Sequence, residues 1–106
     1  MRKIEQQICD KLKEAITYVR SVNEPKWRQY RLSNHDKIIV DADGWVQYVL
    51  WSTPIVTFKV RDGVVTTGSS MYWRSRTTNS RKRALQQVFG FPTLDEGITF
   101  DYIPSI

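Results

Sequence analysis

The residues best suited to chemistry lie between Tyr72 and Arg83, where basic, hydroxyl and aromatic side chains are concentrated. Five basic residues and no acidic residue occur from Arg74 to Arg83. Arginine guanidinium groups bind phosphate through paired N–H bonds, hydroxyl groups add neutral donors, and exposed aromatic rings stack on bases. The segment therefore predicts a surface that contacts a polyanion, although a face that only meets solvent has a similar composition.

Part of this segment is expected to be structural. If it runs into a helix, a rotation of about 100° per residue places Arg81 beside the apolar residues Ala84 and Leu85. We therefore expect the Arg81 stem to lie along the edge of the core, with its guanidinium holding carbonyls or a carboxylate. The predicted strand-to-helix joint consists of Trp73, Thr77, Thr78 and Arg81. The predicted partner contacts are Tyr72, Arg74, Arg76, Lys82 and Arg83.

A second cationic segment precedes the first turn. Lys26, Arg28 and Arg31 alternate there with Trp27 and Tyr30, a pattern that suits nucleic-acid binding because the rings can stack and the cations can pair with phosphate. A connecting segment whose aromatic rings cover a sheet is the structural alternative. If both cationic segments lie on one side of the protein, they form a groove that follows a strand.

No residue is predicted to be catalytic and no cofactor or metal is expected. His35 lies in a turn without a recognisable partner nucleophile, and Cys9 lies at the edge of an apolar stripe, which favours a buried, inert thiol. Asp41 and Asp43 are two residues apart and are able to hold a hard cation such as Mg²⁺. Their place beside Gly44, in a turn, is the simpler explanation.

The elements that position these residues are predicted from periodicity. Apolar residues recur at helical spacing from Ile4 to Val22, which predicts an amphipathic N-terminal helix that ends before Pro25. The region Lys26–Leu32 is ambiguous between a strand and a short helix. β-rich stretches cover residues 37–41, 45–51, 55–60 and 64–67. A second helix is predicted near 79–89, capped by Thr78 or Asn79 and stopped by Gly90, and a C-terminal strand at 98–102. The chain is thus predicted to be a single α+β domain, 1–106, with an antiparallel sheet of about four to five strands.

Composition limits the class of protein. The chain has 106 residues, a net charge of +5 and a pI near 9.6, which favours an acidic partner. Its one cysteine excludes an internal disulfide and zinc sites built on several cysteines. No apolar stretch approaches the ~20 residues of a membrane span, and no apolar leader is apparent. A cytoplasmic location is expected.

Three motifs carry a resemblance to a known group. The sequence reads Ser-Thr-Pro-Ile-Val-Thr-Phe from Ser52 to Phe58, Asp-Gly at 62–63, and Trp-Arg-Ser-Arg-Thr-Thr-Asn-Ser-Arg from Trp73 to Arg81. It resembles small, mostly uncharacterised phage-encoded proteins with a Thr-x-Ile-Val strand, a glycine turn and Gly-Gly-Trp-Arg-Thr-x-Thr-Thr-x-x-Arg opening a helix. Ser75 stands for the first Thr of that pattern, and Met71-Tyr72 replaces its paired glycines. The resemblance implies phage origin, and small basic phage proteins commonly bind nucleic acid or disarm a host system that handles it.

The sequence is therefore compatible with three functions. The first is a nucleic-acid-binding protein, for DNA or RNA, without catalytic activity. The second is a phage inhibitor that docks on a host defence or nucleic-acid-processing protein, as an anti-CRISPR does, with a homodimer as one possible form. The third is a metal-independent ribonuclease in which Tyr72, Arg74 and Arg76 supply a general acid and transition-state clamps.

Overall fold

Along the chain, the described elements are an N-terminal helix, five strands, a second helix and a last strand. The computed structural model describes residues 1–68, 76–91 and 99–101. Within them lie α1 (Lys3–Ser21), β1 (Arg28–Arg31), β2 (Asp36–Val40), β3 (Trp45–Leu50), β4 (Thr53–Lys59), β5 (Val64–Thr67), α2 (Arg76–Phe89) and β6 (Thr99–Asp101). The predicted α+β class is confirmed. Six strands are seen in this part of the chain because the ambiguous segment Lys26–Leu32 supplies β1.

The sheet is an antiparallel meander in which each strand pairs with the next along the chain, in the order β1-β2-β3-β4-β5-β6. Ile38 lies opposite Tyr48, which lies opposite Val56, and Phe58 lies opposite Val65. All five side chains are fully buried. Because cross-strand partners share a face of the sheet, these residues define an inner face that is covered by the helices.

Helix α1 buries the predicted stripe on that inner face. Its buried apolar residues are Ile8, Cys9, Leu12, Ala15, Ile16 and Val19. At its first turn the Arg2 N–H donates to a carboxylate oxygen of Glu5 at 3.0 Å, which satisfies an amide that the helix leaves without a partner. Neither helix in residues 1–68 or 76–91 is long and apolar enough to cross a membrane.

Helix α2 packs on the same face, beside α1. The rings of Phe89 and Phe91 lie 5.5 and 5.7 Å from that of Phe58, at one end of the inner face. The predicted stop is confirmed, because Gly90 has a φ of 70° and its N–H closes the last turn. The predicted cap is wrong: Thr78 lies inside the helix and is buried, since α2 already includes Arg76.

Candidate functional site

A buried ionic cluster joins the two helices to the sheet. Arg81 is 8% exposed, and its guanidinium lies 3.1 Å from a carboxylate oxygen of Asp36 and 3.4 Å from one of Glu5. Tyr48 donates a hydrogen bond to Asp36, and Ser80 donates one to Glu5. The expectation that Arg81 lies at the core edge and holds a carboxylate is confirmed, and it holds two.

The protonation states of this cluster are held by its contacts. Burial raises the pKa of the Asp36 carboxyl, but hydrogen bonds from Ser33, Tyr48 and Arg81 outweigh that effect and hold the pKa below its usual value. The pKa of Glu5 is lowered in the same way, against burial, chiefly by the hydrogen bond from Ser80. Burial and the hydrogen bond to Asp36 raise the pKa of Tyr48 far above neutral pH. Both carboxylates are therefore ionised and Tyr48 is protonated at pH 7. With these fixed protonation states, the cluster serves to link the two helices to the sheet.

A cleft of about 390 Å³ opens beside Asp36, at the end of the sheet where β2 begins and β3 ends. The turn before β2 forms one wall and the turn after β3 forms the other. Among its lining residues are Gln29, Arg31, Asn34, His35, Lys37 and Trp51. The cleft therefore combines two cations with aromatic rings, which is the combination that the sequence suggested in other segments.

The aromatic wall is a stacked pair. The His35 imidazole lies 3.6 Å from the Trp51 ring, centroid to centroid, with only 16° between the ring planes. The backbone N–H of Trp51 donates a hydrogen bond to the backbone carbonyl of His35 at 3.0 Å, which links the two turns. Trp51 is 43% exposed and His35 is exposed, so the pair presents aromatic surface to solvent.

The turn that carries Trp51 is strained. Leu50 pairs with Thr53, which leaves a two-residue hairpin loop in which Trp51 and Ser52 have φ values of 55° and 65°. This is the type I′ geometry, for which Asn-Gly is preferred because side chains disfavour positive φ. Each such residue costs roughly 1–2 kcal/mol relative to right-handed geometry. The predicted strand at 45–51 is therefore one residue too long: β3 ends at Leu50 because Trp51 turns out of the extended conformation.

The two cations of the cleft are direct neighbours. Arg31 on β1 lies opposite Lys37 on β2, on the face of the sheet that the described helices leave uncovered, here called the outer face. Like charges directly opposite one another destabilise a sheet. The Arg31 guanidinium reaches the Ser33 carbonyl and the Asn34 side chain at 3.4 and 3.5 Å, which is the long limit for a hydrogen bond. An anion at this point would relieve the repulsion and offer shorter contacts.

The outer face also carries a tryptophan and a cation at the other end of the sheet. Trp45 is 37% exposed and lies opposite Lys59, whose ammonium group is 4.7 Å from the centre of the indole ring. At a rise of about 3.3 Å per residue, the six steps from Trp45 to Trp51 span roughly 20 Å. The acidic residue Asp101 also lies on this face, but on the far edge strand β6, where it is opposite Val64. Cations and tryptophans thus occur at both ends of β3.

The predicted segment Lys26–Arg31 is divided between the two faces. Alternate residues of a strand point to opposite faces, so Arg28 shares the inner face with Val40, whereas Arg31 reaches the cleft. The Arg28 guanidinium lies 3.9 Å from the Tyr18 ring of α1 and bonds the Tyr30 hydroxyl at 3.4 Å. Lys26 is exposed and comes before the strand. Lys26, Arg28 and Arg31 were predicted to act together, but they do not form one surface.

The predicted contacts on α2 are described in part. Arg76 and Arg83 are exposed and Lys82 is half-buried, so Arg83 projects away from the apolar face, as expected. Arg83 also lines, with Arg2, a second cleft of about 400 Å³ between the start of α1 and α2. Thr77 is half-buried within the helix. Tyr72, Trp73 and Arg74 lie outside the described residues.

The remaining candidates for chemistry have structural contacts. One carboxylate oxygen of Asp41 accepts the N–H groups of Asp43 and Trp45, both at 2.9 Å, which caps the turn between β2 and β3. Cys9 is fully buried, as expected, and burial raises the pKa of its thiol to about 11. The expected turn contains His35, but sequence reasoning missed its stack on Trp51. The available sign was a tryptophan at the end of a β-rich stretch, directly before Ser52.

The comparisons with known proteins add no relative. Comparison of the chain with protein-family models, curated proteins and solved structures yields no match. The resemblance to phage-encoded proteins therefore stays a prediction.

Proposed function

We propose that this protein binds nucleic acid without catalysing a reaction on it, and that the outer face of the sheet is its main contact. The observation that carries the proposal is the cleft in which Arg31 and Lys37 lie beside the stacked rings of His35 and Trp51. Paired cations suit phosphate, and neighbouring aromatic rings suit bases. The net charge of +5 supports an anionic partner of this kind.

The exposed arginines of α2 are a second part of the proposed contact. Arg76 and Arg83 lie on the solvent side of the helix, where they add to the positive field around the protein. We expect them to strengthen binding through phosphate alone, because the described part of α2 carries no aromatic residue before Phe89. A variant with Arg74, Arg76, Lys82 and Arg83 changed to alanine is expected to bind more weakly to DNA and RNA of every sequence.

The test of the main contact is the salt dependence of binding to single- and double-stranded DNA and RNA. Changing Arg31 and Lys37 to alanine should lower the affinity and reduce the slope of log affinity against log salt by about 1.4 for single strands, or about 1.8 for duplex, if each cation meets one phosphate. The matched control changes Lys3 and Lys13 of α1 to alanine, which removes the same charge on the helix side. An Arg31, Lys37 variant that stays folded and binds with unchanged affinity and slope would refute the proposal.

A protein partner is the second candidate function. Trp27, Trp45 and Trp51 are 61%, 37% and 43% exposed, and tryptophan is the residue type most enriched among energetic hot spots of protein interfaces. Such a surface suits a phage inhibitor that docks on a host nucleic-acid-processing protein. A host protein that is retained in stoichiometric amount after nuclease treatment, and is lost when Trp45 is changed to alanine, would favour this function over direct nucleic-acid binding.

A further inference from the structure

We infer that the cleft receives one unpaired base of a single strand, stacked on the His35–Trp51 pair, with the adjoining phosphate held by Arg31 and Lys37. This inference rests on the proposed function and gives it a substrate class. It requires three things of the cleft: an aromatic surface in the right orientation, a phosphate contact beside it, and a reason why the base is not in a duplex.

The aromatic surface is already arranged as a stack. With 3.6 Å between centroids and 16° between planes, His35 and Trp51 are parallel rings in contact. A base that lies against the exposed part of this pair adds a further layer with the same geometry. Stacking of this kind tolerates any base, since every base has a π-face. The backbone bond from the Trp51 N–H to the His35 carbonyl fixes the pair before a ligand arrives, so little order is lost on binding.

The phosphate contact lies next to the rings. Arg31, Lys37, His35 and Trp51 all line the same cleft, so a nucleotide placed on the rings has its phosphate within the field of both cations. Arginine supplies two parallel N–H groups to one phosphate, and lysine adds a point charge. An anion bound here would relieve the cross-strand repulsion between Arg31 and Lys37.

The shape of the cleft favours an unpaired base. Its volume of about 390 Å³ lies within the range of roughly 300–1,000 Å³ typical of small-molecule sites. A base inside a duplex has both faces covered by its neighbours, and the duplex major groove is read by a helix or a ribbon that enters it. To lie against the exposed part of the pair, a base must therefore leave the stack of a duplex, which costs free energy, whereas an unpaired base is already accessible.

The strained turn is the independent sign that Trp51 is kept for a ligand. Asn-Gly at positions 51 and 52 would adopt the observed φ values of 55° and 65° with less strain. Residues held in such conformations concentrate at binding sites, where the rest of the fold compensates for them. The turn therefore carries a large aromatic residue at the cost of local stability.

The decisive variant is Trp51→Asn combined with Ser52→Gly, because it is expected to fold at least as stably as the natural chain. Its affinity for a single-stranded oligonucleotide of about eight nucleotides should fall about tenfold, since one stacked base is lost. Its affinity for duplex of the same length should not change. Ser52→Gly alone is the matched control, which relaxes the turn, keeps Trp51 and should keep the affinity.

An oligonucleotide without bases separates stacking from phosphate binding. We expect the natural chain to bind an abasic strand about tenfold more weakly than the intact strand, and the double variant to bind both alike. If the natural chain binds no nucleic acid at low salt, the proposed function itself fails. If it binds but the double variant binds the intact strand as well as the natural chain does, the inference is overturned and the proposed function stands.

Discussion

Arg81 is the residue on which the helix arrangement depends, because it is the cation that compensates two buried carboxylates. Glu5 belongs to α1 and Asp36 to β2, and they are 4% and 2% exposed. A buried ion pair contributes little net stability compared with an apolar replacement of the whole group, but removing one partner leaves an uncompensated charge in the interior. The cluster therefore sets where the helices sit more than how stable the protein is.

Changing Arg81 to leucine is accordingly expected to lower the free energy of unfolding by about 3–5 kcal/mol. The same change at the exposed Arg83, on the same helix, should alter it by no more than about 0.5 kcal/mol. Urea denaturation followed by circular dichroism measures both. Equal effects of the two changes would contradict the role assigned to Arg81.

The same cluster predicts how stability depends on pH. The pKa values of Glu5 and Asp36 are lowered in the folded state, so the unfolded chain binds more protons below about pH 5. Their contribution is fully present above the unfolded pKa near 4 and is lost as the pH falls through the lower folded values. We expect unfolding midpoints in urea to fall between pH 5 and pH 2.5, with a shallower fall in the Asp36→Asn variant. A midpoint that stays constant over this range would show that these carboxylates are not stabilised by folding.

At the scale of the elements, periodicity predicted what local sequence controls. The stripe from Ile4 to Val22 gave α1 because every third or fourth residue is apolar, and Ala42-Asp43-Gly44 gave the β2–β3 turn because Gly44 takes a φ of 84°. The turn at 51–52 was missed because neither Trp51 nor Ser52 is a residue type that favours positive φ. The β-rich stretch at 55–60 predicted a strand, but not that four consecutive residues of β4, from Ile55 to Phe58, are buried.

The candidate site was harder to predict, because its parts are far apart in the sequence. Composition identified Arg31, but the contact between His35 and Trp51 depends on the pairing of β2 with β3. Residues 72–83 were predicted to contact a polyanion from their composition alone. The predicted partner contacts there that the structure describes, Arg76, Lys82 and Arg83, follow a helix, and nothing in their spacing indicates the cleft beside Asp36.

A close contact between β4 and β5 gives a prediction for that pair of strands. The Gly68 N–H donates to the Ile55 carbonyl at 3.0 Å, and a Cβ on Gly68 would lie 1.7 Å from the Pro54 carbonyl oxygen. Gly68→Ala must therefore separate the strands and should lower the free energy of unfolding by at least about 2 kcal/mol. Gly90→Ala is the control: its Cβ meets open space, so only the positive φ of 70° opposes it, at about 1 kcal/mol. A smaller loss at Gly68 than at Gly90, by thermal or urea unfolding, would argue against this close approach.

At the scale of the molecule, the described helices lie on one face of the sheet, and the other face exposes cations and tryptophans at its two ends, on either side of the buried Val49 and Thr57. The edge strands β1 and β6 have only four and three residues and carry charged side chains, features that oppose pairing of strands between copies of a protein. A ligand held at such a surface would not contact the helix-covered core. We therefore expect the nucleic-acid affinity to respond to outer-face changes whose effects on stability are small.

The order of the strands also has a consequence for how the chain folds. Since each strand pairs with its neighbour in sequence, most of the sheet forms from local contacts, which favours fast folding. The bond between Arg81 and Glu5 is different, because it joins residues 76 positions apart and therefore closes a long loop. We expect it to form after the rate-limiting step, so that it slows unfolding and leaves the folding rate unchanged. The cluster would then set the lifetime of the native state, as a kinetic lock that closes last and opens first.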